Sequence, residues 1–149
     1  MLVTTPQSLL KAGEFGPMAF AFPAALGAKI ARPEKKVLCL IGDGDFMMTI
    51  QDLETAVRHR LDVISIIFND GCYNAERLPR LEGRDVGIEF NNPDFIKYAE
   101  SYGAKGHRVA TAMEYKETLD LALKKGGVHV LDVVIDYSKN SDDLVINQS

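Results

Sequence analysis

Two apolar, β-branched runs, Leu38 to Ile41 and Val63 to Phe68, each end on an acidic turn: Gly42-Asp43-Gly44 after the first and Asn69-Asp70-Gly71 after the second. Such runs read as buried strands of a parallel sheet. Between them, Thr49 to His59 sets Ile50, Leu53, Ala56 and Val57 on one helical face and Gln51, Asp52, Glu54 and Arg58 on the other. A strand–helix–strand unit crosses over right-handedly, which makes its strands neighbours or nearly so. Neighbouring strands lie about 4.8 Å apart. Asp43 and Asp70 are therefore expected together at the carboxyl edge of the sheet, where open α/β folds bind ligands.

Two carboxylates at such an edge suit a hard cation. Mg²⁺ takes roughly six oxygens at about 2.0–2.1 Å, with phosphate and water commonly among them. Asp43 and Asp70 offer one oxygen each, and the carbonyl of Cys72 in the turning loop offers another. Gly42 and Gly44 lack a Cβ, so backbone amides there can approach phosphate oxygens, aided by a helix N-terminus nearby. The plainer alternative is a strand–turn–helix in which Asp43 only caps the helix.

The remainder of the chain reads as one α/β domain over residues 1–149. Met18 to Ile30, dense in Ala and Gly, predicts a closely packed helix with Pro17 near its first turn and Arg32 to Glu34 ending it. Lys36 to Ile41 is the first buried strand. Gly71 to Asn92 shows no period and reads as a long loop, of the kind that tends to carry function. Asn92 is expected to cap a helix from Pro93 to Tyr102, with Phe95, Ile96, Ala99 and Tyr102 facing the core. A short strand at Gly106 to Val109, an amphipathic helix at Ala112 to Lys125 and a buried strand at His129 to Ile135 follow, then a polar tail.

Composition excludes several classes. A net charge of −4 argues against a nucleic-acid surface. The longest uncharged apolar stretch, Pro17 to Ala28, falls short of the ~20 residues a membrane span needs. The first residues lack the pattern of a signal peptide, and the widely separated Cys39 and Cys72 form neither a disulfide framework nor a metal pair. Cys39 reads as a small core residue. These features predict a cytoplasmic protein that engages neither membrane nor nucleic acid. His59 suits a helix C-terminus, while His107 and His129 are expected to stand singly, without a partner. Arg77, Arg80 and Arg84 read as solvated loop charges.

The central stretch also carries a resemblance. GDG at 42–44 followed by the asparagine-rich turn IIFNDGCYN at 66–74 resembles the thiamine diphosphate-binding motif. GPMAFAFPAALGA at 16–28, NPDFIKYAESYGA at 92–104 and LDVVIDYSKN at 131–140 resemble, in the same order, segments of acetolactate synthase-like enzymes. The resemblance implies a thiamine diphosphate-binding fold: a doubly wound parallel sheet with helices on both faces, forming the C-terminal, diphosphate-binding domain. It implies thiamine diphosphate and Mg²⁺ as cofactors. Asp43 and Asp70 match its side-chain metal ligands and Cys72 its carbonyl ligand. Gly44 and Asp45 match positions whose amides meet the diphosphate, and Gly42, Tyr73 and Asn74 complete the cofactor-binding set. Gly16 matches the residue whose carbonyl accepts from the aminopyrimidine, and Met18 the apolar prop beneath the bent cofactor.

Three positions depart from the resemblance. Asp70 stands where Asn is common and adds a negative charge. Asp45 replaces a small residue, and its carboxylate is expected to turn away from the diphosphate and cap the following helix. Asn74 replaces a frequent Gly. In such enzymes the activating glutamate comes from a pyrimidine-binding domain; that domain is expected to lie outside this chain, and neither Glu14 nor Glu54 is expected to substitute. No catalytic residue is therefore assigned. The implied function is part of a 2-oxo acid decarboxylase or carboligase, acting with a pyrimidine-binding partner in a homo- or hetero-oligomer on a small 2-oxo acid. The alternative is an assembly module that keeps the fold without turnover. A dinucleotide-binding domain is a third reading, weakened because no GxGxxG follows a strand.

Overall fold

A computed structural model of the chain describes residues 5–74 and 86–136. Its elements are α1 (Ala21–Ala31), β1 (Val37–Gly42), α2 (Asp43–Met47), a 3₁₀ turn (Ile50–Asp52), α3 (Leu53–Arg58) and β2 (Val63–Asn69). They continue with α4 (Phe95–Ser101), β3 (Lys105–Val109), α5 (Ala112–Lys125) and β4 (His129–Val134). The four strands are all parallel in the order β1-β2-β4-β3. After β2 the chain crosses to the far edge for β3 and returns to insert β4.

Helices cover both faces, as the resemblance implies. On one face Phe22, Leu26, Phe46, Leu53, Ala56 and Phe95, from α1 to α4, pack on Cys39, Ile41, Val63, Ile67 and Val130 of the strands. On the other, α5 lays Tyr115, Leu119, Ala122 and Leu123 over Ile64, Ile66 and Leu131. The amphipathic pattern gave this face of α5 correctly. Thr111 and Glu114 form a reciprocal capping box at its start, satisfying amides the first turn leaves open. Gly106 in β3 allows α4 to approach closely, since a Cβ there would lie 2.6 Å from the Cα of Ile96.

Several boundaries differ from the sequence reading. α1 begins at Ala21 rather than Met18, and Pro23, not Pro17, occupies its first turn, where a missing N–H costs nothing. Ala19 interrupts the expected helix with a left-handed φ of 69°. The GDG pattern predicts a turn, but helix begins at Asp43 itself and breaks at Thr49 before resuming. β1 is not buried on both faces: Leu38 and Leu40 are each 44% exposed, because β1 is the edge strand and α5 lies over β2 and β4.

Asn92 does not cap the next helix. Asp94 does, its carboxylate accepting from the amides of Ile96 and Lys97, so Pro93 precedes the cap instead of following it. The two histidines are not solitary either. His107 Nε2 lies 3.0 Å from His129 Nδ1, and the rings stack with centroids 5.2 Å apart. Adjacent β3 and β4 bring them together across a sequence gap that no local spacing reveals. Within the supposedly irregular segment, Tyr73 donates to Ile88 and Phe90 to Gly71, pairing the two ends of that loop. Arg77, Arg80 and Arg84 lie outside the described residues.

Candidate functional site

Register brings the two acidic turns together. Gly42 pairs with Phe68, so the chain leaves β1 at Asp43 beside the point where it leaves β2 toward Asp70. Asp43 is 2% exposed. Its Oδ2 accepts from the amide of Gly71 at 2.8 Å, from Asn92 Nδ2 at 2.7 Å and from the amide of Asp70 at 3.3 Å. Among the described residues its Oδ1 accepts only from the adjacent amide of Gly44, at 2.8 Å. Asp43 therefore does more than cap a helix: it ties β1, β2 and the approach to α4 to one carboxylate.

Asp70 shapes the second turn. Its Oδ1 accepts from the Cys72 amide at 3.2 Å, and its Oδ2 from Asn74 Nδ2 at 2.5 Å. Gly71 supports the turn with φ 67°. An open cleft of about 700 Å³ begins here, lined by Asp70, Cys72, Asn74, Glu89 and Phe90 among others. The Cys72 side chain is buried and its backbone bridges to Glu89.

The acidic loop also fastens the N-terminal segment. Asp45 Oδ1 accepts from the Ala19 amide at 2.5 Å. The expectation that Asp45 caps a following helix is thus wrong; the unsatisfied amide of strained Ala19 takes it instead. Burial pushes the Asp45 carboxyl above the ordinary carboxylate range, and the Ala19 hydrogen bond partly opposes this. Gly16, with φ 56°, and Met18, exposed, belong to the segment so tethered. Cys39, beneath the same loop, is a core thiol pushed up to about 12 by burial first and by the charge of Asp45 second.

Gly44 is required for a reason the sequence does not reveal. A Cβ there would sit 2.3 Å from Tyr73 Cε1 and 3.1 Å from Phe90 Cζ, whose rings tilt together at 4.6 Å. A Cβ on Gly42 would meet nothing within 4 Å. The predicted residues Gly42, Asp43, Gly44, Asp45, Asp70, Cys72, Tyr73 and Asn74 thus converge at one edge, with Gly16 and Met18 tied in through Ala19. α2 has only five residues, so the helix dipole invoked from sequence is slight.

The donor set suits a hard dication. Among the described residues no group of three or more His, Cys, Asp or Glu could hold a metal ion. Two carboxylates completed by carbonyl, phosphate and water oxygens is the pattern Mg²⁺ accepts. Asp43 Oδ1 and both Asp70 oxygens each receive one described hydrogen bond and keep further acceptor capacity. Asn92 Oδ1, on the residue that grips Asp43, is buried and accepts no hydrogen bond among the described residues.

Asn69, Asn92 and Asp132 were missed as site residues. Asn92 Nδ2 also donates to Asn69 Oδ1 at 2.9 Å, and Asn69 Nδ2 donates to buried Asp132 at 2.7 Å. One signal was present. Asn92-Pro93-Asp94 holds two candidate caps for one helix, which leaves one of them for other work.

A parallel α/β sheet whose carboxyl edge gathers two acidic glycine turns defines an open α/β domain of the class that binds its ligands at that edge. The comparisons make this specific. Residues 1–133 match the family described as thiamine pyrophosphate enzyme, C-terminal TPP binding domain, and the chain belongs to that family. It is 40% identical over 139 residues to a probable acetolactate synthase large subunit of Methanococcus aeolicus, covering 90% of this chain and 23% of that protein. It is 34% identical over 137 residues to acetolactate synthase of Bacillus subtilis, covering 91% and 24%. Among solved structures, the Rhodococcus jostii RHA1 thiamine diphosphate-dependent 4-hydroxybenzoylformate decarboxylase aligns with a TM-score of 0.71 and 32% identity, over 83% of this chain and 24% of that one. The chain spans about a quarter of the length of these relatives. Among the described residues no helix is long and apolar enough to cross a membrane.

Proposed function

We propose that this chain is the diphosphate- and Mg²⁺-holding part of a thiamine diphosphate-dependent decarboxylase or carboligase acting on a 2-oxo acid. Asp43, Asp70 and the carbonyl of Cys72 would hold the metal. Gly42, Gly44, Asp45, Tyr73 and Asn74 would surround the diphosphate, with Gly16 and Met18 toward the organic part of the cofactor. The observation that carries the reading is the buried Asp43 carboxylate, fixed by four donors beside Asp70 at the sheet edge. When bound, the cofactor supplies a nucleophilic carbon and an electron sink for chemistry next to a 2-oxo carbonyl. The protein's share is to position it and to neutralise its phosphate charge.

The reading includes a pyrimidine-binding partner domain or subunit, in a homo- or hetero-oligomer. Phe15, 92% exposed, lies near exposed Met18 and Phe20 in the sequence, and Met47 and Met48 are exposed at the end of α2. Apolar side chains of this size favour cover by another protein surface. Thermal unfolding tests the proposal. Thiamine diphosphate and Mg²⁺ should raise the melting temperature together and not singly, for the chain alone or with a pyrimidine-domain partner. Equal stabilisation by NAD, or none in any combination, overturns it.

A further inference from the structure

Sequence offers Asn92 only the role of a helix cap, and Asp94 fills that role. The Asn92 side chain instead joins a polar chain that crosses the sheet at its carboxyl edge. Arg108 Nη2 on β3 lies 2.9 Å from Asp132 Oδ2 on β4, and Asp132 is fully buried. Asp132 Oδ1 accepts from Asn69 Nδ2 at the end of β2, Asn69 Oδ1 accepts from Asn92 Nδ2, and Asn92 Nδ2 donates also to Asp43 Oδ2. The two amides thus stand between a carboxylate on either side, Asp132 and Asp43, and carboxylates only accept. Asn69 must therefore turn its NH₂ to Asp132 and its carbonyl to Asn92, and Asn92 must turn its NH₂ to both Asn69 and Asp43. Flipping either amide would set oxygen against oxygen.

Asn92 is held by its donor side alone, because its own Oδ1 accepts nothing among the described residues. The consequence falls on Asp43. With Oδ2 engaged by Asn92, Gly71 and Asp70, Oδ1 is the oxygen left with a single donor among the described residues. We infer that Asn92 is a positioning residue: it fixes the rotation of the Asp43 carboxylate so that Oδ1 is available to a divalent cation. Asn69 and Asp132 hold Asn92 in that role. The inference rests on the proposed function, since it is that reading which gives Asp43 a metal to bind.

The test is calorimetric titration of Mg²⁺ into the full chain at saturating thiamine diphosphate, with the pyrimidine-domain partner present if binding needs it. Asn92→Ala should raise the Mg²⁺ dissociation constant about 10- to 100-fold, the range for groups that orient metal ligands. Asn92→Ser, which keeps a short donor, should recover part of the loss. Leu119→Ala, on the buried side of α5 against the opposite face of the sheet, should lower the melting temperature and leave the constant unchanged. An Asn92→Ala protein that folds and binds Mg²⁺ like the parent overturns the inference, as does a loss matched by Leu119→Ala. If Asn92→Ala does not fold, Asn92→Ser is read alone and must still weaken binding. If the parent takes up no Mg²⁺ under any condition, the functional reading fails and the positioning role is judged without metal. The amide resonances of Gly44 and Gly71, both donors to Asp43, must then shift in the variant; if they stay in place, Asn92 does not position the carboxylate.

Discussion

Both ends of the sheet bury polar side chains, but they treat them differently. At the amino end, His129 donates from Nε2 to the Gly126 carbonyl at 3.0 Å, which leaves Nδ1 to accept from His107 Nε2. Asp62 accepts from the Gly127 amide at 2.7 Å, and Lys105 reaches the Gly126 carbonyl at 3.4 Å. Both ring nitrogens of His129 are engaged there. At the carboxyl end Asp43 gathers donors while Asn92 Oδ1 finds no partner among the described residues, Ala19 is held at positive φ, and Asp70 opens on a cleft. Polar burial alone does not mark a site. Incomplete satisfaction beside strain does, since such costs persist where function over-determines them.

Asp43→Ala should break the contrast most severely. It strands the amides of Gly44, Asp70 and Gly71 and the Asn92 side chain, for a loss of roughly 2–5 kcal/mol in urea unfolding, and it should abolish the response to thiamine diphosphate with Mg²⁺. A variant as stable as the parent would mean that the donors find water at no cost. Next comes Gly44→Ala, which drives a methyl into the Tyr73 ring and should cost about 1–3 kcal/mol. A second change, Tyr73→Ala, should relieve part of that cost if the ring is the obstacle.

The amino end supplies a pH signature. Burial holds both His107 and His129 below the usual histidine range; Lys105 and Lys125 add to it, while the hydrogen bond to the Gly126 carbonyl opposes it at His129 and Glu100 opposes it at His107. A folded-state pKa below the unfolded one means the unfolded chain binds more protons as pH falls. Stability is therefore complete above about pH 6.5 and declines below it, by up to about 1.4 kcal/mol per pH unit for each proton. Urea midpoints at pH 7 and pH 5.5 should differ less in His107→Phe than in the parent. Asp45, shifted upward, works in the opposite sense in the carboxylate range and is common to both proteins.

Two smaller effects sharpen the carboxyl edge. Thr111→Ala removes the capping box of α5 at that same edge and should cost about 1 kcal/mol, with no change in the thiamine diphosphate response. Asp70→Asn should have the least effect, keeping most of the Mg²⁺ response because an amide oxygen still offers a lone pair. Loss equal to that of Asp43→Ala would show that charge, not oxygen geometry, matters at residue 70.

Local pattern carried the sequence reading a long way. Apolar runs gave β1, β2 and β4, and a 3.6-residue period gave α5 with its buried face. The GDG and NDG turns placed Asp43 and Asp70 at one edge, and register confirmed the meeting. What failed was what depends on tertiary partners. Nothing local says that Ala19 will accept a strained φ to meet Asp45, that Asn92 will reach Asp43, or that β4 will insert beside β3 and stack two histidines. Sequence alone explains Gly44 as access for phosphate, whereas the nearest demand on it is the Tyr73 ring.

The uncovered strand β1 has a colloidal consequence. Its outer edge finds no strand partner among the described residues, and Leu38 and Leu40 stand out on one side. An apolar edge of this kind templates the addition of another chain. For the isolated polypeptide, shelf life in concentrated solution would then be governed by the six residues that lead into the acidic turn, and Leu38→Lys or Leu40→Lys would be the simplest remedy.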